Sequence, residues 1–323
     1  MSLTAQELAR EAANTGFQAE ILEKVFRLIG LLNGLRSHPY LRQRIALKGG
    51  TALNLFIFNV PRLSVDIDLN YVGANDRETM LAERPKVEQA IEAVCSREGF
   101  TIRRIPTEHA GGKWQLKYTG ATGQGGNLEL DLNFILRVPL WPTQLRDSHL
   151  VSSFQATQVP LLDIHELAAG KLAALCDRGA SRDLFDAYAL LRRDDLDHDR
   201  LRLGFVVYGG ASRRDWRTVT IENIECDAVE LRGKLLPTLR NVETDAFRDA
   251  KAWAEQRVSE VRSLMSAVLP LRPNEIKFLD HLNDRGKIIP ELLAQEEKMQ
   301  ALIRQHPALN WKAMNVRKHY RLD

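Results

Sequence analysis

Apolar residues recur at helical spacing through Phe17, Ile21, Leu22, Val25, Phe26, Ile29 and Leu32. This predicts a helix over residues 4–36, broken by Gly34 and Ser37-His38-Pro39. The short run Arg44-Ile45-Ala46-Leu47 then meets Gly49-Gly50, the pattern of a buried strand entering a tight turn. Thr51 is placed to cap a short helix through Phe56 that Asn59 and Pro61 end. From Leu63 to Tyr71 apolar and polar residues alternate in steps of two, which is a strand signature. Helical spacing returns over 83–98, with Val87, Ala90, Ile91 and Val94 on one face, and further strands are predicted at 101–105, 113–119 and 127–138. The glycine-rich loop 120–126 joins the last two as a hairpin connection. Beyond Pro160 the texture becomes helical, over 164–177 and 182–192, with a strand-like interruption at 205–208 and 218–221 and helical material from 227 onward. The pattern predicts an α+β region over residues 1–160 and a mainly helical region over 161–323, with no internal repeat.

At 323 residues the chain is long enough for two domains, and 44% hydrophobic with 27% charged residues excludes wholesale disorder. No stretch approaches the ~20 apolar residues of a membrane helix, and the first residues lack the plan of a signal peptide, so no membrane association and a cytoplasmic location are expected. Cys95, Cys176 and Cys226 are widely spaced and never in a C-x-x-C pair, which points to reduced packing residues. A net charge of +3 is too balanced for a protein that coats nucleic acid by bulk charge. Local basic groups do occur: Arg36, Arg42, Arg44 and Lys48; Arg213, Arg214 and Arg217; and Arg304, Lys312, Arg317, Lys318 and Arg321 against Asp323. Each reads first as a solvated face and second as a contact for a polyanion.

The block that carries chemistry is Lys48-Gly49-Gly50-Thr51-Ala52-Leu53 followed by Arg62-Leu63-Ser64-Val65-Asp66-Ile67-Asp68-Leu69. Asp66 and Asp68 lie two apart on a predicted strand, so their carboxylates share a face with Cα atoms roughly 6 to 7 Å apart, a spacing suited to one divalent cation such as Mg²⁺. Val65, Ile67 and Leu69 are expected to face the core. Gly49 and Gly50 offer backbone N–H groups with no Cβ in the way, at the start of a helix. With Lys48, Thr51, Arg62 and Ser64 they form a candidate cradle for a nucleoside triphosphate; Arg62 serves equally well to close its own loop. The eight histidines show no H-E-x-x-H, and neither a Gly-x-Ser-x-Gly elbow nor a Walker A sequence occurs.

Gly-Gly-Thr-Ala-Leu with Arg-x-Ser-x-Asp-x-Asp-Leu resembles the AbiEii/AbiGii family of nucleotidyltransferase toxins, which includes the MenT-type toxins of bacterial toxin–antitoxin systems. The likeness extends to Lys171 in Glu166-Leu167-Ala168-Ala169-Gly170-Lys171, to Arg178 and to Arg182-Asp183-Leu184-Phe185-Asp186, and to the segment from His306 to Asn315. Residues 190–270 carry no motif that can be placed by this resemblance. The resemblance implies a polymerase beta-like mixed sheet and transfer of a nucleoside monophosphate from an NTP to the 3′ end of tRNA, which blocks translation. It also implies Mg²⁺ on Asp66 and Asp68 and a cognate antitoxin. Ser64 and Asp66 then correspond to the family's metal and nucleotide motif, Lys171 to its phosphate-contacting lysine and Asp186 to its later acid. The helical region is expected to return Lys171 and Asp186 to the cleft. Asp183 shares a helix face with Asp186, which is favoured because Asp183 suits the helix N-terminus. Asp131 in Leu128-Glu129-Leu130-Asp131-Leu132 reads either as a third carboxylate that activates the attacking hydroxyl or as a structural residue. Two rival readings stand beside the first: the same fold modifying a protein or small-molecule hydroxyl, and a non-catalytic nucleotide-binding protein.

Overall fold

The computed structural model describes residues 3–104 and 110–321; Ile105, expected at a strand end, and Asp323 lie outside them. The chain divides into two units that are not consecutive lengths of sequence. One takes Met1–Arg137, Thr143–Leu162 and Gly233–Arg248, and the other Val138–Pro142, Asp163–Arg232 and Asp249–Asp323.

The first unit contains helices α1 (Ala5–Thr15) and α2 (Ala19–Ser37), strand β1 (Ile45–Lys48), and the short helix α3 (Gly49–Ala52), which widens into a π-type turn over Leu53–Ile57. Strand β2 (Asp66–Tyr71), helix α4 (Arg77–Arg97) and strands β3 (Thr101–Arg104), β4 (Gly111–Thr119), β5 (Gly125–Asn133), β6 (Gln144–Arg146) and β7 (Val159–Leu161) follow. The strands form one seven-stranded mixed sheet in the order β3-β4-β5-β2-β1-β7-β6, with β2 parallel to β5 and β1 parallel to β7. Alternation sorts its two faces. Leu47, Ile67, Leu69, Leu130, Leu132, Trp114 and Leu116 are buried on one of them. There α2 packs against β5, β7 and α4, and α4 against β3. Each such leucine or isoleucine withdrawn from water stabilises the fold by about 1.5–3 kcal/mol.

Several boundaries depart from the periodicity, each for a local reason. The helix predicted over 4–36 is two helices, because Gly16 takes φ 74° and donates its N–H to Ala12 O. Helix α3 begins at Gly49, so Thr51 lies inside it and is not its cap. β2 begins only at Asp66: Val65 is half-buried, and Leu63 donates its N–H to Thr238 O at 2.8 Å. That bond, together with Asn241 N–H to Gly16 O at 2.8 Å, holds residues 233–248 in the first unit. Helix α4 starts six residues before the predicted 83, where the Asp76 carboxylate accepts from Thr79 N. β5 stops at Asn133, whose side-chain oxygen accepts from Ile135 N and Leu136 N and turns the chain away. The three-residue strands β6 and β7 have too little pattern to be read.

The second unit holds α5 (Ile164–Arg178), α6 (Ser181–Leu191), α7 (His198–Gly210), α8 (Ala228–Glu230), α9 (Ala250–Leu264), α10 (Pro273–Arg285), α11 (Glu297–Gln305) and α12 (Pro307–Tyr320). The strand expected at 205–208 is the buried part of α7. Phe205, Val206 and Val207 are enclosed on every side, and a short, wholly apolar run reads alike in strand and buried helix. The segment expected at 218–221 is likewise no strand but the link between two 3₁₀ turns, the first capped by Asp215. Among the described residues no helix is long and apolar enough to cross a membrane. All three cysteines are free, and burial pushes the Cys95 and Cys176 thiols up to about 12.

A Cβ on Gly209 in α7 would lie 2.0 Å from the buried Trp216 indole. Gly209→Ala is expected to lower stability by about 1–3 kcal/mol through overpacking. The check is the urea midpoint, and a variant as stable as the wild type would refute this contact.

Candidate active site

The face of the sheet opposite the α2 and α4 layer is polar, and strand register composes it. Lys48 on β1 is the partner of Asp68 on β2, Asp68 of Asp131 on β5, and Asp131 of Lys113 on β4. One transverse row therefore reads lysine, aspartate, aspartate, lysine. Asp66 lies two residues before Asp68 and is paired with Glu129. The shared face expected for Asp66 and Asp68 is what the pleat provides, with Ile67 and Leu69 buried behind them.

Gly49 and Gly50 close this row on the β1 side. Gly49 has φ 73°, and a Cβ there would lie 2.2 Å from Asp68 Oδ2, so the carboxylate occupies the space that a side chain would need. A Cβ on Gly50 would stand 3.0 Å from Ser64 Oγ and 3.1 Å from Arg62 Nη2. Thr51 Oγ1 donates to Asp66 O at 2.5 Å and ties the helix to the start of β2. Arg62 is 2% exposed and donates from Nη1 to Leu63 O at 3.0 Å, so it does close its own loop while its other nitrogen lies beside Gly50. The first unit thus brings together Lys48, Gly49, Gly50, Thr51, Arg62, Ser64, Asp66 and Asp68.

Lys113 and Glu129 escaped the sequence reading. Lys113 Nζ lies 3.0 Å from Glu129 Oε2, and this hydrogen bond, supplemented by the charges of Asp131 and Asp66, raises the lysine's pKa against the opposing effect of burial. Pairing β4 with β5 residue by residue across loop 120–124 was the signal that would have found them.

In the second unit Lys171 projects from α5 to both acids of α6. Its Nζ lies 2.8 Å from Asp183 Oδ1 and 3.0 Å from Asp186 Oδ2, and all three residues are buried. Both acids hold the lysine, Asp183 as well as the favoured Asp186. Arg178 Nε adds a 2.6 Å contact to Asp183 Oδ2. Burial pushes the Asp183 carboxyl up, but Lys171 and Arg178 outweigh it and leave its pKa below the ordinary range. Of the C-terminal basic residues, Lys312 donates to Ser212 O at 2.9 Å and Arg317 to Gly286 O at 2.7 Å, so both are engaged in holding backbone; Trp311, Lys318, Tyr320 and Arg321 are exposed.

Residues 30–317 match the family model described as nucleotidyl transferase AbiEii toxin, type IV toxin–antitoxin system. The chain belongs to the AbiEii family. It is therefore a nucleotidyltransferase toxin of toxin–antitoxin type, and the match spans residues 190–270, which sequence motifs had left unplaced. Among solved structures this AbiEii chain is similar to MenT4, the nucleotidyltransferase toxin Rv2826c of Mycobacterium tuberculosis H37Rv. The TM-score is 0.63 at 19% identity, covering 94% of this chain and 100% of that one, a likeness of fold. No curated protein matches the sequence.

Two substitutions test these arrangements. Gly49→Ala is expected to cost about 1–2 kcal/mol from the left-handed backbone alone, and more from the clash with Asp68. Adding Asp68→Ala should recover the steric part, and a double-mutant cycle with no coupling would refute the close approach. Asp183→Asn is expected to destabilise the fold by about 3–5 kcal/mol at neutral pH. Because the Asp183 pKa is depressed in the folded state, its contribution is complete above the unfolded value near 4 and fades as pH falls through the folded value. The stability gap between variant and wild type should therefore narrow only below about pH 4; a gap constant down to acid unfolding would contradict the assignment.

Proposed function

We propose that this AbiEii-family protein transfers a nucleoside monophosphate from an NTP to the 3′ end of tRNA, releasing pyrophosphate and blocking translation. A cognate antitoxin is the partner that restrains it. The observation that carries the reading is the Gly49-Gly50 turn set against Asp66 and Asp68, with Asp131 beside Asp68 on the same face. Family membership supports it, as does the likeness in fold to MenT4, a nucleotidyltransferase toxin.

The bare N–H groups of Gly49 and Gly50 let phosphate oxygens approach the backbone closely. Lys48 and Arg62 supply positive charge, and the Ser64 hydroxyl supplies a donor beside Gly50. Asp66 and Asp68 offer hard carboxylate oxygens, the donor chemistry of Mg²⁺, which takes one or two carboxylates and completes its shell with phosphates and water. Among the described residues no group of three or more His, Cys, Asp or Glu gathers as a metal site by itself. The pair therefore fits an ion that arrives with a triphosphate, and that ion would withdraw charge from the phosphate oxygens. Asp131 accepts the proton as the acceptor hydroxyl forms its bond to the α-phosphorus; the bond to the bridging oxygen breaks and pyrophosphate carries away the electron pair. Lys171, held by Asp183 and Asp186, is assigned to the charge that develops on the phosphates, as the family's phosphate-contacting lysine.

The test is incubation with each labelled NTP and Mg²⁺, with and without total tRNA. Label from one NTP is expected on tRNA. Label on the protein itself would favour a protein hydroxyl instead, and NTP binding without transfer a non-catalytic role. Asp66→Ala should keep its melting temperature and lose ~10²-fold or more in transfer, and Lys171→Ala and Lys171→Met should each lose about as much in kcat. Each Lys171 variant is compared at a temperature where its unfolding curve shows it folded. Wild-type rates in folded Asp66→Ala or Lys171→Met would remove that residue from the reaction.

A further inference from the structure

The row across the sheet has a direction. Its β1 end is the Gly49-Gly50 turn with Lys48, where the triphosphate is placed, and its β4 end is Lys113, three strand spacings or roughly 14 Å away. In phosphoryl transfer the attacking and leaving oxygens stand roughly in line on opposite sides of the phosphorus. With pyrophosphate held toward β1, the attacking hydroxyl enters from the side of β5 and β4, past Asp131. Lys113 is the cation waiting there.

We infer that Lys113 is the acceptor-side contact, its ammonium binding the phosphodiester next to the 3′ hydroxyl of an RNA end while Asp131 faces that hydroxyl. This rests on the RNA acceptor proposed above and adds the residue that recognises it. The state of the lysine suits the role. Its side chain is 56% exposed and that of its partner Glu129 40% exposed. An ion pair this open contributes little to stability, so an incoming phosphate exchanges for Glu129 at little cost. Until then Glu129 keeps the ammonium over the row, near Asp131 and Asp66, both of which act on its charge. A lysine that only offset the acidic face would serve NTP and RNA alike. A phosphate contact on the acceptor side serves RNA alone.

The experiment compares wild type, Lys113→Ala and Lys113→Arg, varying RNA and NTP separately. A parallel measurement follows binding of a fluorescent RNA with a free 3′ hydroxyl in the absence of metal. Lys113→Ala should raise the RNA KM about tenfold, weaken RNA binding to match, and reduce the salt slope by about one phosphate contact. Its NTP KM should stay within twofold, and Lys113→Arg should recover most of the loss. An RNA carrying an uncharged methylphosphonate at the last linkage should bind the wild type as poorly as normal RNA binds Lys113→Ala, with no further loss in that variant. An unchanged RNA KM, an equal rise in NTP KM, or additive losses with the methylphosphonate would overturn the role of Lys113. Absence of any transfer to RNA by the wild type would overturn the acceptor reading and this inference with it.

Discussion

The Asp68 carboxylate fills the space that a Cβ on residue 49 would need, and the surrounding chain is arranged around that close approach. The antiparallel register of β1 and β2 makes Lys48 the partner of Asp68, so the residue after the strand passes directly beneath the acid. Only glycine combines φ 73° with no side chain there. The same reasoning reaches Gly50, whose open side is taken by Ser64 and Arg62, and through them fixes the path of the loop that enters β2. Register is secured from the other face. Leu47, Ile67, Leu69, Leu130 and Leu132 are buried, and a slip of one residue would turn them outward and carry the aspartates into the core.

Acidic residues on one face repel one another, and the two units deal with like charge in opposite ways. In the sheet, Asp66, Asp68, Glu129 and Asp131 stay partly open to water, where repulsion is screened, and a lysine stands at each end of the row. In the helical unit, Asp183 and Asp186 are fully withdrawn from water, where each carboxylate needs a partner within hydrogen-bond reach. Lys171 serves both, and Arg178 adds a second cation to Asp183. The half-open face is left able to gain a ligand, whereas the buried cluster is held in one geometry.

The sequence disclosed those parts whose pattern is local. Alternation over a few residues is enough to set Asp66 and Asp68 on one face, and two adjacent glycines before a helix are enough to mark a turn open to phosphate. What stayed hidden depends on pairing between distant residues. Lys113 has no local signature and gains significance only when β4 is registered against β5 and β5 against β2. Residues 233–248 join the sheet unit through backbone bonds such as Leu63 N–H to Thr238 O, which no side-chain pattern encodes. Thr51 reads from the sequence as a helix cap, but it lies inside the helix and its hydroxyl serves Asp66 O. The buried part of α7 reads as a strand because enclosure of Phe205, Val206 and Val207 removes the polar face by which an amphipathic helix is known.

Lys113 and Lys171 show how surroundings divide the work of one residue type. Lys171 is buried, and its two carboxylates hold it in one position, so the direction of its charge is fixed by the protein and not by solvent. It is correspondingly ill suited to capture a partner, since leaving Asp183 and Asp186 would strand two buried anions. Lys113 has the complementary properties. Half exposed and held by one half-exposed glutamate, it contributes little to stability and gives up its partner readily. Its substitution therefore costs the fold little, whereas substitution of Lys171 removes the cation that two buried carboxylates share. That difference in stability follows from burial and partner count alone.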